Sequence, residues 1–176
     1  MIINKLYEKL PLVEEWIKSL LKNSSGQRIP LRSFTFQRLP NYYSSATVDS
    51  AKVVLVDKIP VPPLSDFGLQ ELRDFETGDY AGITYLDTYF IKRQFEEDES
   101  LHFHELVHVV QWQMLGLQKF LLLYGVGIIQ DGYRESLLEK MAYNYQHRFQ
   151  DSLETFDVEN AVKKELDRIN SVWNVS

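Results

Sequence analysis

Residues 101–112 read Leu-His-Phe-His-Glu-Leu-Val-His-Val-Val-Gln-Trp and contain His104-Glu105-Leu106-Val107-His108. On a helix, side chains four apart stand one turn above each other on a single face. His104 and His108 then aim two imidazoles at one point, as two protein ligands of one metal ion must. Glu105, beside the first histidine, can reach a water on that metal and act on it as general base. The chemistry this pattern could do is metal-assisted hydrolysis.

The flanks supply the helix. Asp98, Glu99 and Ser100 precede it and suit the exposed N–H groups and positive end of a helix N-terminus. Phe103, Leu106, Val107, Val110 and Met114 recur at helical spacing and mark a core-facing stripe; Leu101, His104, His108, Gln111 and Trp112 share another face. Gly116 is placed to end the helix, so the metal helix is predicted over 98–116. His102 faces away from His104 and is expected to be exposed. A di-iron carboxylate bundle also uses Glu-x-x-His, but it needs a second such pair. Near His147 the matching position is Asn144, and that reading is set aside.

Two ligands are too few. A catalytic zinc centre takes three protein ligands and keeps a fourth position open for water. The next helix is predicted over 134–150, with Leu137, Leu138, Met141 and Tyr145 inward. It carries Glu135 and Glu139, with 26 and 30 residues intervening after His108. Asp131, in the preceding turn, is a lesser candidate. Small Ala142, one turn beyond Glu139, would let this helix approach the metal helix closely. Either glutamate could instead be a solvated charge paired with Arg134 or Lys140. Glu139 is the preferred third ligand and Glu135 the alternative.

The run His104-Glu105-Leu106-Val107-His108-Val109-Val110-Gln111-Trp112, followed by Leu138-Glu139 and Ala142-Tyr143, resembles the gluzincin (peptidase MA-like) superfamily of zinc metallopeptidases. In particular it is similar to small bacterial zincin-like domains of the DUF4157 kind, over roughly residues 82–145. The resemblance implies an α+β zincin-like minidomain, with a small, mostly antiparallel sheet packed on the metal helix and the third-ligand helix. It implies Zn2+ held by His104, His108 and Glu139, and Glu105 as the general base of a peptidase. Larger members stabilise the oxyanion with a distant Tyr or His; the expectation here is Tyr143, with Tyr145, His147 and Tyr133 as the other choices. Two departures stand out. Tyr143 occupies the position where thermolysin-like members have an Asp, four residues after the ligand Glu. Gln111 and Met114 exclude the H-x-x-G-x-x-H continuation of metzincins.

The rest of the chain must position these residues. With 176 residues, 44% hydrophobic and 25% charged, it has the size and composition of one domain, 1–176. A net charge of −6 leaves no basic footprint for nucleic acid. The lack of cysteine excludes disulfides, thiolate metal sites and cysteine nucleophiles within this chain. Residues 1–25 form an N-terminal helical segment, broken or kinked at Pro11. Residues 29–95 read as a sheet region. It holds a short strand over 31–36, a buried strand over 52–57 and a short helix over 69–75. One long strand over 82–91 ends it, with Ile83, Tyr85, Asp87 and Tyr89 on one face, and a peptide could pair with its edge. A short buried helix is expected over 119–129, and a C-terminal helix over 157–170 capped by Asp157. The N-terminus shows no signal-peptide core. The longest apolar run, 120–129, is about half the length of a spanning helix, so a cytoplasmic protein without a membrane span is expected. These readings converge on a zinc-dependent metallohydrolase acting on peptide or protein substrates. The alternative is a non-catalytic binding module that keeps the fold and the metal. An open metal position beside a groove marks the first; a site plugged by its own side chains marks the second.

Overall fold

Residues 2–173 are described by the computed structural model, with side chains up to 169. Met1 and residues 174–176, the ends of the expected 1–176 domain, lie outside the described residues. The elements run α1 (Ile2–Asn23), β1 (Ile29–Pro30), α2 (Ser45–Ser50), β2 (Lys52–Val56), α3 (Arg73–Glu76), β3 (Gly82–Tyr85), β4 (Thr88–Lys92), α4 (Glu99–Asp131), α5 (Leu137–Asp151) and α6 (Val158–Trp173). The chain is α+β: helices around a small four-stranded sheet of order β1-β2-β4-β3. Both outer pairings are antiparallel, but the central one, β2 with β4, is parallel, with Val53 opposite Tyr89. The sheet is therefore mixed. The chain leaves β2 by a long crossover over 57–81, and that return brings β4 in the same direction as β2.

Several local expectations give way to packing. α1 runs unbroken through Pro11. Leu6 and Leu10 before it, and Val13, Ile17 and Leu21 after it, bury one face, while Pro11 and its missing N–H lie on the exposed side. The expected strand at 31–36 is instead a 3₁₀ turn, Leu31–Ser33, closed by Phe34 N–H donating to Leu31 O. The expected single strand at 82–91 is a hairpin. Its two-residue turn, Leu86-Asp87, holds Leu86 at φ 59°, a left-handed conformation that a leucine rarely adopts. No glycine or asparagine announces this turn. Asp87 therefore lies at the turn, where its carboxylate accepts from Thr88 Oγ1 and its carbonyl from Lys52 N–H.

The centre of the molecule is α4. Asp98 caps it, accepting from the N–H groups of Ser100 and Leu101 at 3.1 Å each. Gly116, at φ 71° and ψ 170°, kinks it, so the metal helix ends where the sequence placed its end and a second half follows directly. Every residue from 102 to 112 is buried, whereas Met114, assigned to the core stripe, is 41% exposed. Residues 102–112 have no solvent face, and exposure begins only with Gln113 and Met114. β3 and β4 cover them on one side, α5 and α6 on another, and the 34–43 segment on a third. By length and composition alone α4 could cross a membrane, with mean hydropathy 1.3 over its best 18-residue window, 28% of it buried. That window runs through a kinked helix packed on α1 and α5.

His102 shows the effect of this enclosure most clearly. It was expected on the surface and is fully buried. Nε2–H donates to Glu96 O at 2.9 Å, which leaves Nδ1 to accept from Tyr89 OH at 2.8 Å. Phe34 and Phe36 pack on its ring. Burial disfavours the charged imidazole and lowers its pKa to about 4. The unfolded chain therefore takes up this proton first, and folding stability falls as pH drops from 6.5 towards 4, by about 3 kcal/mol. Urea unfolding at pH 7 and pH 4.5 should show this loss in the wild type. His102→Gln keeps an acceptor for Tyr89 and should lose correspondingly less over the same interval.

Candidate metal centre

Residues four apart on the first half of α4 do converge. His104 Nε2 and His108 Nε2 lie 3.2 Å apart. Glu139, on the first turn of α5, completes the group: Oε2 is 3.3 Å from His104 Nε2, and Oε1 is 3.3 Å from His108 Nε2. All three side chains are buried. Ala142, fully buried one turn along α5, sits where the small residue was expected to allow close approach of the two helices. Glu135 is not part of the group. α5 starts at Leu137, so Glu135 falls in the preceding turn, exposed, and accepts from Lys140 Nζ at 2.8 Å.

Neighbours fix the orientation of each donor. Gln111 Nε2 donates to Leu138 O at 3.0 Å, a carbonyl that can only accept. Gln111 Oε1 therefore faces His108 Nδ1, at 2.8 Å, and Nδ1 must carry a proton. The Nε2 lone pair is thus turned towards Glu139. Gln146 does the same for His104: its Oε1 lies 3.1 Å from Nδ1 and its amide donates to Ser100 Oγ. Tyr124 OH donates to Glu139 Oε1 at 2.5 Å, while Glu139 Oε2 is buried without a hydrogen bond. Three acceptors meet, and apart from Tyr124 OH on Glu139 Oε1 the described residues bring no donor to them except a second proton on a histidine. A group so arranged can hold a metal ion. In the bare protein that proton takes the cation's place. Burial opposes charge on His108, but the charge and hydrogen bond of Glu139 outweigh it and raise the pKa to about 9. Burial likewise pushes Glu139 up, and the paired histidines hold it well below the usual carboxylate range.

Glu105 is buried beside this group. Thr84 Oγ1 donates to its Oε2 at 2.7 Å. A Cβ on Gly82 would collide with this carboxylate, so a larger residue at 82 would push the Glu105 side chain from its present position. Burial raises the Glu105 pKa; the two histidines and the Thr84 bond pull it back, and the charge of Glu139 adds to the rise. A raised carboxylate beside a metal group suits proton transfer.

The group opens on a cleft with about 840 Å³ of empty space, part of it open to solvent. Glu105, His108 and Glu139 line one end, with Tyr80, Tyr124 and Tyr133 around them. Tyr143 lies elsewhere. Its ring packs on His104 at 4.5 Å between centroids, with the Arg134 guanidinium over its face, and it is not part of the cleft lining. His147 is exposed, and Tyr145 packs on Phe156. Tyr133 OH has no hydrogen-bond partner among the described residues. Its pKa is raised by burial and by the charges of Glu139 and Glu105. Sequence reasoning gave no role to Gly82, Thr84, Tyr124 or Gln146. Of these only Gln146 carried a signal, lying two turns beyond Glu139 on the same face of α5.

Elemental analysis of the purified protein should find about one divalent metal per chain. His104→Ala and Glu139→Ala should lose it, whereas Glu135→Ala should retain it.

No family model matches this chain, and neither a curated protein nor a solved structure does.

Proposed function

We propose that the protein is a zinc-dependent hydrolase of amide bonds, with peptide bonds as the class that its likeness to gluzincins suggests, on a zincin-like scaffold. One observation carries this reading: His104 Nε2 lies 3.2 Å from His108 Nε2, each of these nitrogens lies 3.3 Å from one oxygen of the Glu139 carboxylate, and a second buried carboxylate, Glu105, stands beside them at the cleft. Ligands at ~2.0–2.1 Å and a tetrahedral angle are about 3.3 Å from one another, the spacing at which each of these pairs stands. Two imidazoles and a carboxylate are also the ligand types of several catalytic zinc sites.

When bound, zinc would polarise a carbonyl and lower the pKa of a water towards ~7. The remaining work belongs to the chain. Glu105 takes a proton from the attacking water and passes it to the leaving nitrogen. Thr84 holds the Glu105 carboxylate in place through its hydroxyl, and Gly82 leaves room for it. Tyr133 lines the cleft, and its hydroxyl, without a hydrogen-bond partner among the described residues, is free to donate to a developing oxyanion, whereas Tyr143 is not part of the lining. The cleft also bears on the alternative of a non-catalytic module. A scaffold kept only for its metal has no need of a chamber reaching the donors, and here one reaches them.

Glu105→Gln should keep its metal and lose turnover by about 10²–10⁴-fold against a substrate hydrolysed by the wild type. A Gln variant as active as the wild type would rule out this mechanism.

A further inference from the structure

Only one end of the cleft is needed for hydrolysis. Beyond Glu105, His108 and Glu139 its walls are Leu6, Leu10 and Val13 of α1, Leu64, Leu69 and Leu72 of the crossover, and the inner face of the second half of α4. Polar atoms on these walls are already engaged within the protein. Tyr80 OH donates to Phe75 O, Tyr85 OH to Pro60 O and Tyr124 OH to Glu139. Among the described residues that line the cleft, apart from the metal group and Glu105, the Tyr133 hydroxyl is the side-chain polar group left for a ligand. The far end of the chamber therefore offers apolar contact and nothing else.

The strand edge, where an extended peptide would pair, is obstructed. β3 is an edge strand. Lys92 N–H bonds to Ala81 O, so by antiparallel alternation Ile83 and Tyr85 point their backbone groups at β4, while Gly82 and Thr84 point theirs at the free edge. There Thr84 O accepts from the Trp112 indole at 3.1 Å, and the Glu105 side chain lies against Gly82. All four residues of β3 are buried. Binding by strand addition needs such an edge free.

We propose that the substrate is an N-acyl amide whose aliphatic chain fills this chamber, the acyl carbonyl lying at the metal group and the amine outside. This rests on the hydrolase reading above. Water oxygen bonds to the acyl carbon, the C–N bond breaks, and the proton taken by Glu105 goes to the leaving nitrogen. The products are a fatty acid and an amine. Recognition comes from burying methylenes, and selectivity is for chain length.

Fatty acids are the product end of this reaction and serve as probes. Isothermal titration of the zinc-loaded protein with butanoate, octanoate and dodecanoate should show affinity rising about fourfold per methylene until the chamber is full. Leu10→Trp and Leu72→Trp fill the chamber from different walls, and melting curves identify which of them fold. Either folded variant should weaken dodecanoate more than tenfold while keeping zinc content and butanoate affinity. A flat chain-length series on protein that holds zinc overturns the chamber assignment and leaves the hydrolase reading standing. A rising series on protein that takes up no zinc supports the chamber and removes the hydrolase reading instead. A rising series untouched by both tryptophans also overturns the proposal, placing the chain on exposed apolar side chains such as Ile3, Tyr7 and Leu12.

Discussion

Two imidazole nitrogens and a carboxylate, all shielded from water, point their lone pairs at one another. Such a cluster repels itself unless a cation or a proton lies within it, and burial strengthens the repulsion by removing solvent screening. It persists only if the surroundings leave the three groups nowhere else to turn. Gln111 and Gln146 take the two imidazoles by their Nδ1 sides, Tyr124 donates to Glu139 Oε1, and the packing of α4 on α5 closes the space. A small positive charge among the three groups removes that repulsion, so the arrangement suits a metal ion.

Holding the cluster explains why residues 102–112 of α4 are buried on every side. A helix that gives one face to metal ligands ordinarily leaves another to solvent. Here β3 brings Thr84 and Gly82 to Glu105, α5 brings Glu139, and Tyr43 OH donates to Phe103 O from the segment after α1. The kink at Gly116 then lets the helix change task within a few residues. Its first half is committed to the polar group, and its second half carries Phe120, Tyr124 and Ile128 along the chamber.

What could be read from the sequence follows from range. His104, Glu105 and His108 are related by helical periodicity, so their convergence was legible, as was Glu139 once the following helix and its small Ala142 were placed. The caps at Asp98 and Asp157 and the stop at Gly116 are likewise local, and all three hold. Failures occurred where distant packing decides. His102 looks exposed on a helical wheel and is buried because Phe34, Phe36 and Tyr89 arrive from elsewhere. The hairpin at Leu86-Asp87 lacks turn residues, and its left-handed leucine is sustained by the pairing of β4 with β2. Gly82 could not be assigned, because only the approach of Glu105 shows what a larger residue there would meet.

The ligands also sit at the two ends of one excursion of the chain. Beyond His108 the chain completes the first half of α4, turns at Gly116, runs along the cleft as its wall, and returns at Glu139. An ion held by both ends is a tether that closes a loop, and loop closure is an entropic gain independent of the chemistry done there. A metal ion at these donors would join the two ends of the wall, which is otherwise held by its packing on α1 and α5. Removing the ion would then loosen the wall before the sheet and the first half of α4, so that local opening of the cleft and occupancy of the donors would be two readings of a single equilibrium.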